Sequence, residues 1–579
     1  MSALKQRPII LATLLSLAGV AFGQGQGGVY VIQGIFNPTI ADAQKKDLRP
    51  EPIDTIMPDR PVSFDVLPVK ATIPAKVDSL AAAKLNVVQP QQKLYKGLVK
   101  AGFGLYTTPL GELYYDQARS RDNAWGLHLK HMSSAGGIND VGPSRYSFNN
   151  VDAYYNHFLR NHEVGGRLMY DRRRVSYFGY ASTDSVENLI ANTVRGEDDL
   201  KQFYNDIGFA ARIRSLYKDS TLIAHDVGLE VHAYSNLSGS RETNMRLTAD
   251  LSKAEQGDRL GLGILIDNNA YRGELRNGLF GEVRSVTLGD QRTNGTLLGL
   301  TPSITREGDK YIVRIGAGIY VDAQGTTSFH FFPRAYASYS LFDDILVPYV
   351  GIEGERRRNS FRSLTRENPW LIARPAIANS SLLYDAYGGL RGSFSSRVGF
   401  DVRLSLSAME DRPLFVSAPN APFGDQMAVV YDRVKQFNLS GELSYRMDDA
   451  VRFHGRIDVT NYETEDQREP WNLPPYQLAL GASYSLQGKL IAKIEAQFLG
   501  ERKGGYYLDP SDPSLFAPVP PTTIDLDGFL DLYLGLEYRY TKRLSVFLDM
   551  SNLSASKYER WYRYPVQRGL LLGGATYSF

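Results

Sequence analysis

GFLDLYLGLEYRY, residues 528–540, is the stretch whose reading decides the fold. Leu530, Leu532, Leu534, Leu536, Tyr538 and Tyr540 fall at one parity. Asp531, Tyr533, Gly535, Glu537 and Arg539 fall at the other. Side chains alternate across an extended chain, so this is a strand with one apolar and one polar face. The same alternation recurs in AVRFHGRIDVT, where Val451, Phe453, Gly455, Ile457 and Val459 oppose Arg452, His454, Arg456 and Asp458. It recurs from Tyr311 to Val321 with Arg314 on the polar side, from Leu490 to Gly500, and from Val99 to Leu105 facing away from Lys100, Gly102 and Gly104. Each stretch is about 10 residues long, the length a tilted strand needs to cross a bilayer.

Turn chemistry supplies the count. Short polar connections at 216–221, 255–258, 306–309, 342–344, 395–396, 447–449, 487–489 and 541–543 join alternating segments directly. Between them lie longer, irregular connections such as RNSFRSLTRENPWLIARPAIAN and KGGYYLDPSDPSLFAPVPPTTIDLD. Tight turns on one side and long loops on the other are how outer-membrane barrels are connected. Residues 95–579 divide into 22 segments, with both ends on the short-turn side. The expected fold is therefore an all-β, transmembrane, antiparallel outer-membrane β-barrel of about 22 strands. A soluble sandwich or propeller would have to bury charges such as Arg314 and Glu537, and no fixed-period repeat is present. In a barrel, Lys100, Arg314, Arg452, Arg456, Asp531, Glu537 and Arg539 are candidates to line a wet lumen.

Composition agrees. Mean hydropathy is −0.28 although 43% of residues are apolar, so apolar side chains are dispersed rather than gathered in blocks. After residue 23 no run of about 18 apolar residues could span a bilayer as a helix. A net charge of +2 gives no basic excess for nucleic acid. The absence of cysteine excludes disulfides, thiolate metal sites and a lipid-anchoring cysteine. Lys5 and Arg7 precede the apolar IILATLLSLAGVAF, which closes on small residues near Ala21 and Gly23, so residues 1–23 are expected to be a secretory signal peptide. Residues 24–94 carry Pro38, Pro50, Pro52, Pro58, Pro61, Pro68, Pro74 and Pro90 and read as an extended arm, periplasmic or lumenal, with one short helix expected at 77–85.

The chain stops on GATYSF, which resembles the C-terminal signal of outer-membrane barrel proteins, with Gly574, Tyr577 and Phe579 at the matching positions. That resemblance implies that the last strand is read by the barrel-assembly machinery and closes on the first. Upstream, SVFLDMSNLSASKYERWYRYPVQRGLLLGGATYSF resembles the last hairpin of TonB-dependent outer-membrane receptors: an Asn-Leu pair (Asn552, Leu553), then Tyr558, Tyr564, Pro565 and Arg568, with Gln567 where that family usually has glycine. The resemblance implies a 22-strand barrel and transport of a solute across the outer membrane. It also implies a folded plug of well over a hundred residues, whereas residues 24–94 carry no recognisable plug motif. VYVIQGIF, residues 29–36, is the only stretch that could serve as a TonB-binding box, and an ordinary short strand accounts for it better.

A barrel this wide needs a stopper, because side chains fill only far narrower ones. The arm, an inward-folded outer loop, or a periplasmic or outer-membrane partner that blocks or gates the lumen could provide one. Function is accordingly expected to be that of a transport or channel component, the alternative being a non-transporting envelope scaffold or assembly partner. Neither an enzyme nor a cofactor is expected, and the partners are outer-membrane lipid and the assembly machinery. Local signals add little. His128 and His131 fall on opposite faces of one strand, Arg172–Arg174 and Arg356–Arg358 read as solvated clusters or contacts to anionic head groups, and Tyr506, Tyr507, Trp561, Tyr562 and Tyr564 read as rings of an interfacial girdle.

Overall fold

The computed structural model describes residues 94–579, apart from 118–119, 140, 180–199, 275–290, 419–424, 449 and 507–520. The arm with its expected helix, VYVIQGIF, the signal stretch and Tyr507 lie outside the described residues. Twenty-two antiparallel strands form one sheet in which each strand pairs with its sequence neighbours. The sheet closes on itself: the first strand, Gly97–Gly104, pairs with the second, Thr108–Asp116, and with the last, Leu570–Ser578. Closure leaves no edge, which lets a sheet sit in hydrocarbon with every backbone group paired.

The outward face is the apolar one. Phe329, Ile315, Leu168, Phe331 and Ile207 are 67%, 63%, 61%, 59% and 59% exposed, values that an aqueous surface would penalise and a lipid one rewards. In the stretch that opened the sequence analysis, now strand Phe529–Arg539, Leu530 and Tyr538 lie on this face. The tight turns at EQGD and QGK form as expected: Gln256–Gly257 and Gln487–Gly488 place two successive residues at positive φ, the two-residue hairpin geometry that matches strand twist. The division into short and long sides is less strict than the sequence implied. Gly325 alone, at φ 74°, turns strand Tyr311–Gln324 into Thr326–Tyr339 on the long-connection side, and residues 237–240 turn tightly there too. Two small hairpins, Arg502–Tyr506 with Thr522–Leu526 and Glu559–Trp561 with Tyr564–Pro565, stand in long connections outside the barrel wall.

At the seam, Gly574 faces Gly102 and Tyr577 faces Val99 across the ladder. A Cβ on Gly574 would come within 2.1 Å of the Ala101 carbonyl oxygen and 2.6 Å of the Gly102 Cα, so only glycine fits. Phe579 donates its N–H to the Gly97 carbonyl at 2.9 Å, and its own main-chain oxygen accepts from Lys96 and Gly97 at 2.9 and 3.0 Å. Its ring and that of Tyr577 are each 45% exposed on the outward side.

Candidate functional site: a connection folded into the lumen

The single helix among the described elements, α1 (Phe361–Glu367), lies in the connection between strands Leu346–Arg357 and Ser380–Ser395. It starts where the sequence allows. Ser360 caps it with a side chain that accepts from the Ser363 N–H, and the Ser363 hydroxyl answers by accepting from the Ser360 N–H. A second cap comes from the barrel wall: Glu242 accepts the Phe361 and Arg362 N–H groups at 2.6 and 3.1 Å. A carboxylate at a helix N-terminus opposes the partial positive charge there.

Arg358 roots the connection. It is 4% exposed at the side chain, and its guanidinium donates to Asp267 Oδ1 (3.3 Å), Gln324 Oε1 (2.9 Å), Asn379 Oδ1 (3.4 Å) and the carbonyls of Asp267 (2.9 Å) and Gly295 (3.1 Å). Five donors are all that an arginine has, so its buried charge is fully satisfied. One turn on, Arg362 Nε and an Arg366 guanidinium nitrogen converge on Asp206 Oδ2 at 2.6 and 2.8 Å. Burial first, and then the Arg362 charge, push Arg366 below the ordinary arginine range, with Asp206 pulling the other way. His232 Nδ1 stands 2.9 Å from Asp206 Oδ1, while its Nε2 stands 3.2 Å from an Arg362 nitrogen. A guanidinium only donates, so Nε2 accepts and Nδ1 carries the proton. The Asp–His pair thus spends its basic nitrogen on an arginine.

The second half of the connection is held through its main chain. Tyr204 donates to the Pro369 carbonyl (2.7 Å), Tyr177 to Leu371 (2.9 Å), Tyr271 and Ser240 to Ala373 (2.9 and 3.0 Å), Gln324 to Ile377 (2.8 Å) and Tyr431 to Ala376 (3.1 Å). Ile372 N–H donates to the Met427 carbonyl at 2.9 Å, and Met427 N–H to that of Trp370 at 2.8 Å. Asp206 belongs to the sixth strand of the barrel and Met427 to the sixteenth, ten apart where half of the circumference is eleven. A segment tied to both must cross the lumen.

Apolar packing completes the crossing. Leu364 and Leu371 join Phe178, Phe415, Met427, Val429, Trp561 and Tyr564 in one buried cluster fed by several long connections. Trp370 stacks on Tyr564 with centroids 4.0 Å apart. On the opposite flank Phe361 packs among Tyr204, Tyr234 and Tyr271. Arg502, 4% exposed, clamps one small hairpin to the other by donating to the carbonyls of Arg560 and Glu559 at 2.7 and 2.6 Å, and burial, then Arg560, push it down to about 10.

Two sequence expectations change here. Trp561 and Tyr564, 8% and 1% exposed, are core residues of this cap rather than girdle rings. Arg356 and Arg358 are ion-pair members with side chains only 11% and 4% exposed, Arg356 bonding Asp322 at 2.9 Å and Ser381 at 2.7 Å, rather than solvated charges. Gln567, the departure from the family pattern, donates to Ser134 Oγ (2.9 Å) and the Gly136 carbonyl (2.8 Å), joining the last connection to that at 135–145. Asn552, at φ 48°, donates to the Ser556 and Gln567 carbonyls.

The polar parities of the strands carry the other sequence candidates. Lys100 Nζ lies 3.4 Å from Asp549 and 4.0 Å from the Phe547 centroid. Arg314 donates to Thr305 (3.2 Å), Arg456 to Glu442 (2.8 Å) and Asp458 (2.6 Å), and Arg539 to Glu537 (3.3 Å). Asp531 accepts from Tyr558 (2.9 Å) and the Asn552 N–H (3.1 Å). Arg452 shares the parity of Arg456 and stands in register with Arg446 and Ser483. The structure does not bring these seven together; they are spread around the wall, most of them in local ion pairs or hydrogen bonds. The cap residues, which sequence reasoning missed, are what converges.

Solved structures with the same architecture include the ferripyoverdine receptor of the outer membrane of Pseudomonas aeruginosa (TM-score 0.60, 12% identity, covering 85% of this chain and 72% of that one). The FrpB iron transporter from Neisseria meningitidis (0.63, 10%, 84% and 82%) and the ferric-catecholate import receptor Fiu from E. coli (0.57, 11%, 84% and 82%) share it too. The chain has the barrel fold of a TonB-dependent outer-membrane receptor. At these identities the likeness is one of fold. No protein-family model and no curated protein sequence matches the chain.

Proposed function

We propose that this TonB-dependent-receptor-like barrel is a non-enzymatic transport component of the outer membrane whose lumen is closed at the long-connection end by residues 358–379. The observation that carries the reading is the attachment of one connection to walls ten strands apart. A scaffold gains nothing from a sealed, water-lined interior, whereas a route for solute needs both the lumen and a stopper. Lys100, Arg314, Arg452, Arg456, Asp531, Glu537 and Arg539 would then line the aqueous path, with Lys100, Arg456, Glu537 and Arg539 each in an ion pair. Gly574, Tyr577 and Phe579 would present the closing strand to the assembly machinery. Iron-carrying ligands, with which the Pseudomonas and Neisseria proteins are described, set the class of solute to try first.

Proteoliposomes holding the full chain test this reading. Transport through a capped lumen predicts near-baseline efflux from vesicles holding the wild-type chain and efflux of small hydrophilic solutes several-fold above the empty-vesicle baseline when residues 360–377 are replaced by a short Gly/Ser link. Tight vesicles before and after that replacement would favour the scaffold.

A further inference from the structure

Register exposes a second feature, on the outside of the wall. Arg172 faces Asn205 across the ladder, Asn205 faces Ser235, Ser235 faces Arg241, Arg241 faces Arg272, and Arg272 faces Arg292. Six consecutive strands, the fifth to the tenth, therefore share one polar row. Its parity is the outward one. Arg172 lies at the parity of Leu168, Asn205 at that of Ile207, Arg241 at that of Met245, Arg272 at that of Ile266 and Arg292 at that of Leu298, all large apolar side chains exposed by 39% or more. Arg172, Arg241, Arg272 and Arg292 are themselves exposed. Arg172 lies 4.5 Å over the Phe203 ring, and Arg272 lies 3.2 Å from Glu274.

The height of the row fixes its solvent. From Leu260, next to the tight turn, the outward positions of strand Asp258–Gly273 run Leu262, Ile264, Ile266, Asn268 and Ala270 before reaching Arg272. Those 12 residues, at about 3.3 Å each and a tilt of about 40°, rise about 30 Å, the thickness of the hydrocarbon layer. The arginines thus stand where hydrocarbon gives way to head groups, on the side of the long connections. There a guanidinium reaches a phosphate through paired N–H donors while its stem stays on apolar wall.

We propose that this arc is a docking site for the phosphate-bearing head group of a glycolipid in the leaflet at the long-connection end. A lipid is the occupant that meets both halves of the surface, acyl chains against the Leu and Ile rows below and anion against the arginine row. A soluble protein or a free anion would satisfy only the upper half. The proposal rests on the barrel's place in the outer membrane and is independent of whether it conducts.

Full-length protein stripped of native lipid in neutral detergent is titrated with a bisphosphorylated acyl glycolipid and with its dephosphorylated form, reading bound lipid by native mass spectrometry and the thermal unfolding midpoint. Wild type binds the bisphosphorylated form at least tenfold more tightly and unfolds at a higher temperature with it. The variant with Arg172→Gln, Arg241→Gln, Arg272→Gln and Arg292→Gln loses that preference, while the corresponding four Arg→Lys changes keep it, since the charge remains. Inorganic phosphate at the same concentration leaves the midpoint unchanged. A preference surviving in the glutamine variant, no preference in wild type, or an equal shift with phosphate alone would overturn the assignment. Solute efflux from the glutamine variant stays at the wild-type level, so failure here is separable from failure of the transport reading.

Discussion

Arg358 concentrates the logic of the cap in one side chain. Its five bonds tie the root of the connection to three barrel strands and to Asn379 at the other end of the same connection. Arg358→Met keeps the volume and removes the donors, taking the arginine's bonds from Gln324 Oε1 and Asp267 Oδ1. Asp267 still holds Arg246 and Asn244, which limits the damage. The expected loss is about 3 kcal/mol, visible as a lower unfolding midpoint in detergent. Tyr204→Phe, which deletes the bond to the Pro369 carbonyl and the hydroxyl interaction with Tyr177, should cost about 1 kcal/mol. At the seam, Gly574→Val must push the Ala101 carbonyl aside, so the heat-modifiable folded band on a semi-native gel should largely vanish while total polypeptide persists. The arginine was legible in the sequence as part of a basic cluster and misread as solvated. What decides its burial is Asp267, 91 positions away, and a single sequence has no periodicity that links the two.

Strands and connections differ in how openly they are written. A strand between lipid and water alternates along its whole length, so the pattern in GFLDLYLGLEYRY survives reading without any partner, and the count of 22 follows from turns of a few residues each. The connection 358–379 has no such solvent boundary to imprint a period. One trace of it was present: Tyr204, Tyr234 and Tyr271 are large rings at the polar parity of three strands, at the end facing the long connections, where a wet lumen would favour smaller or charged residues. They are the seat for Phe361. The helix itself depends on Glu242, and Glu242→Gln replaces an acceptor by an amide that can accept from only one of the two N–H groups through its oxygen. The change should fray α1 by about 1–2 kcal/mol, raising the rate of tryptic cleavage after Arg362 and Arg366 in the folded protein about tenfold. Unchanged cleavage would show that the apolar seat holds the helix without the cap.

At the scale of the whole molecule, closure of the sheet and closure of the lumen are separate achievements. The first is dictated by a solvent that tolerates no free strand edge. The second is what we propose for the protein's own connection at the long-connection end, pinned on one side by ion pairs to the sixth and ninth strands and hydrogen bonds to the eighth, tenth and eleventh, and on the other by the cluster around Met427, Trp561 and Tyr564. Two attachments of different chemistry mean that no single local change should release the whole segment, so Ser360→Ala alone is expected to leave the barrel sealed. The most direct measurement is single-channel conductance in planar bilayers for three chains: wild type, a variant lacking residues 24–94, and that variant with residues 360–377 also replaced by a short Gly/Ser link. The account predicts that the first two stay closed or nearly so and that the third shows large, steady openings. Large steady openings in the second chain, with the cap intact, would contradict it.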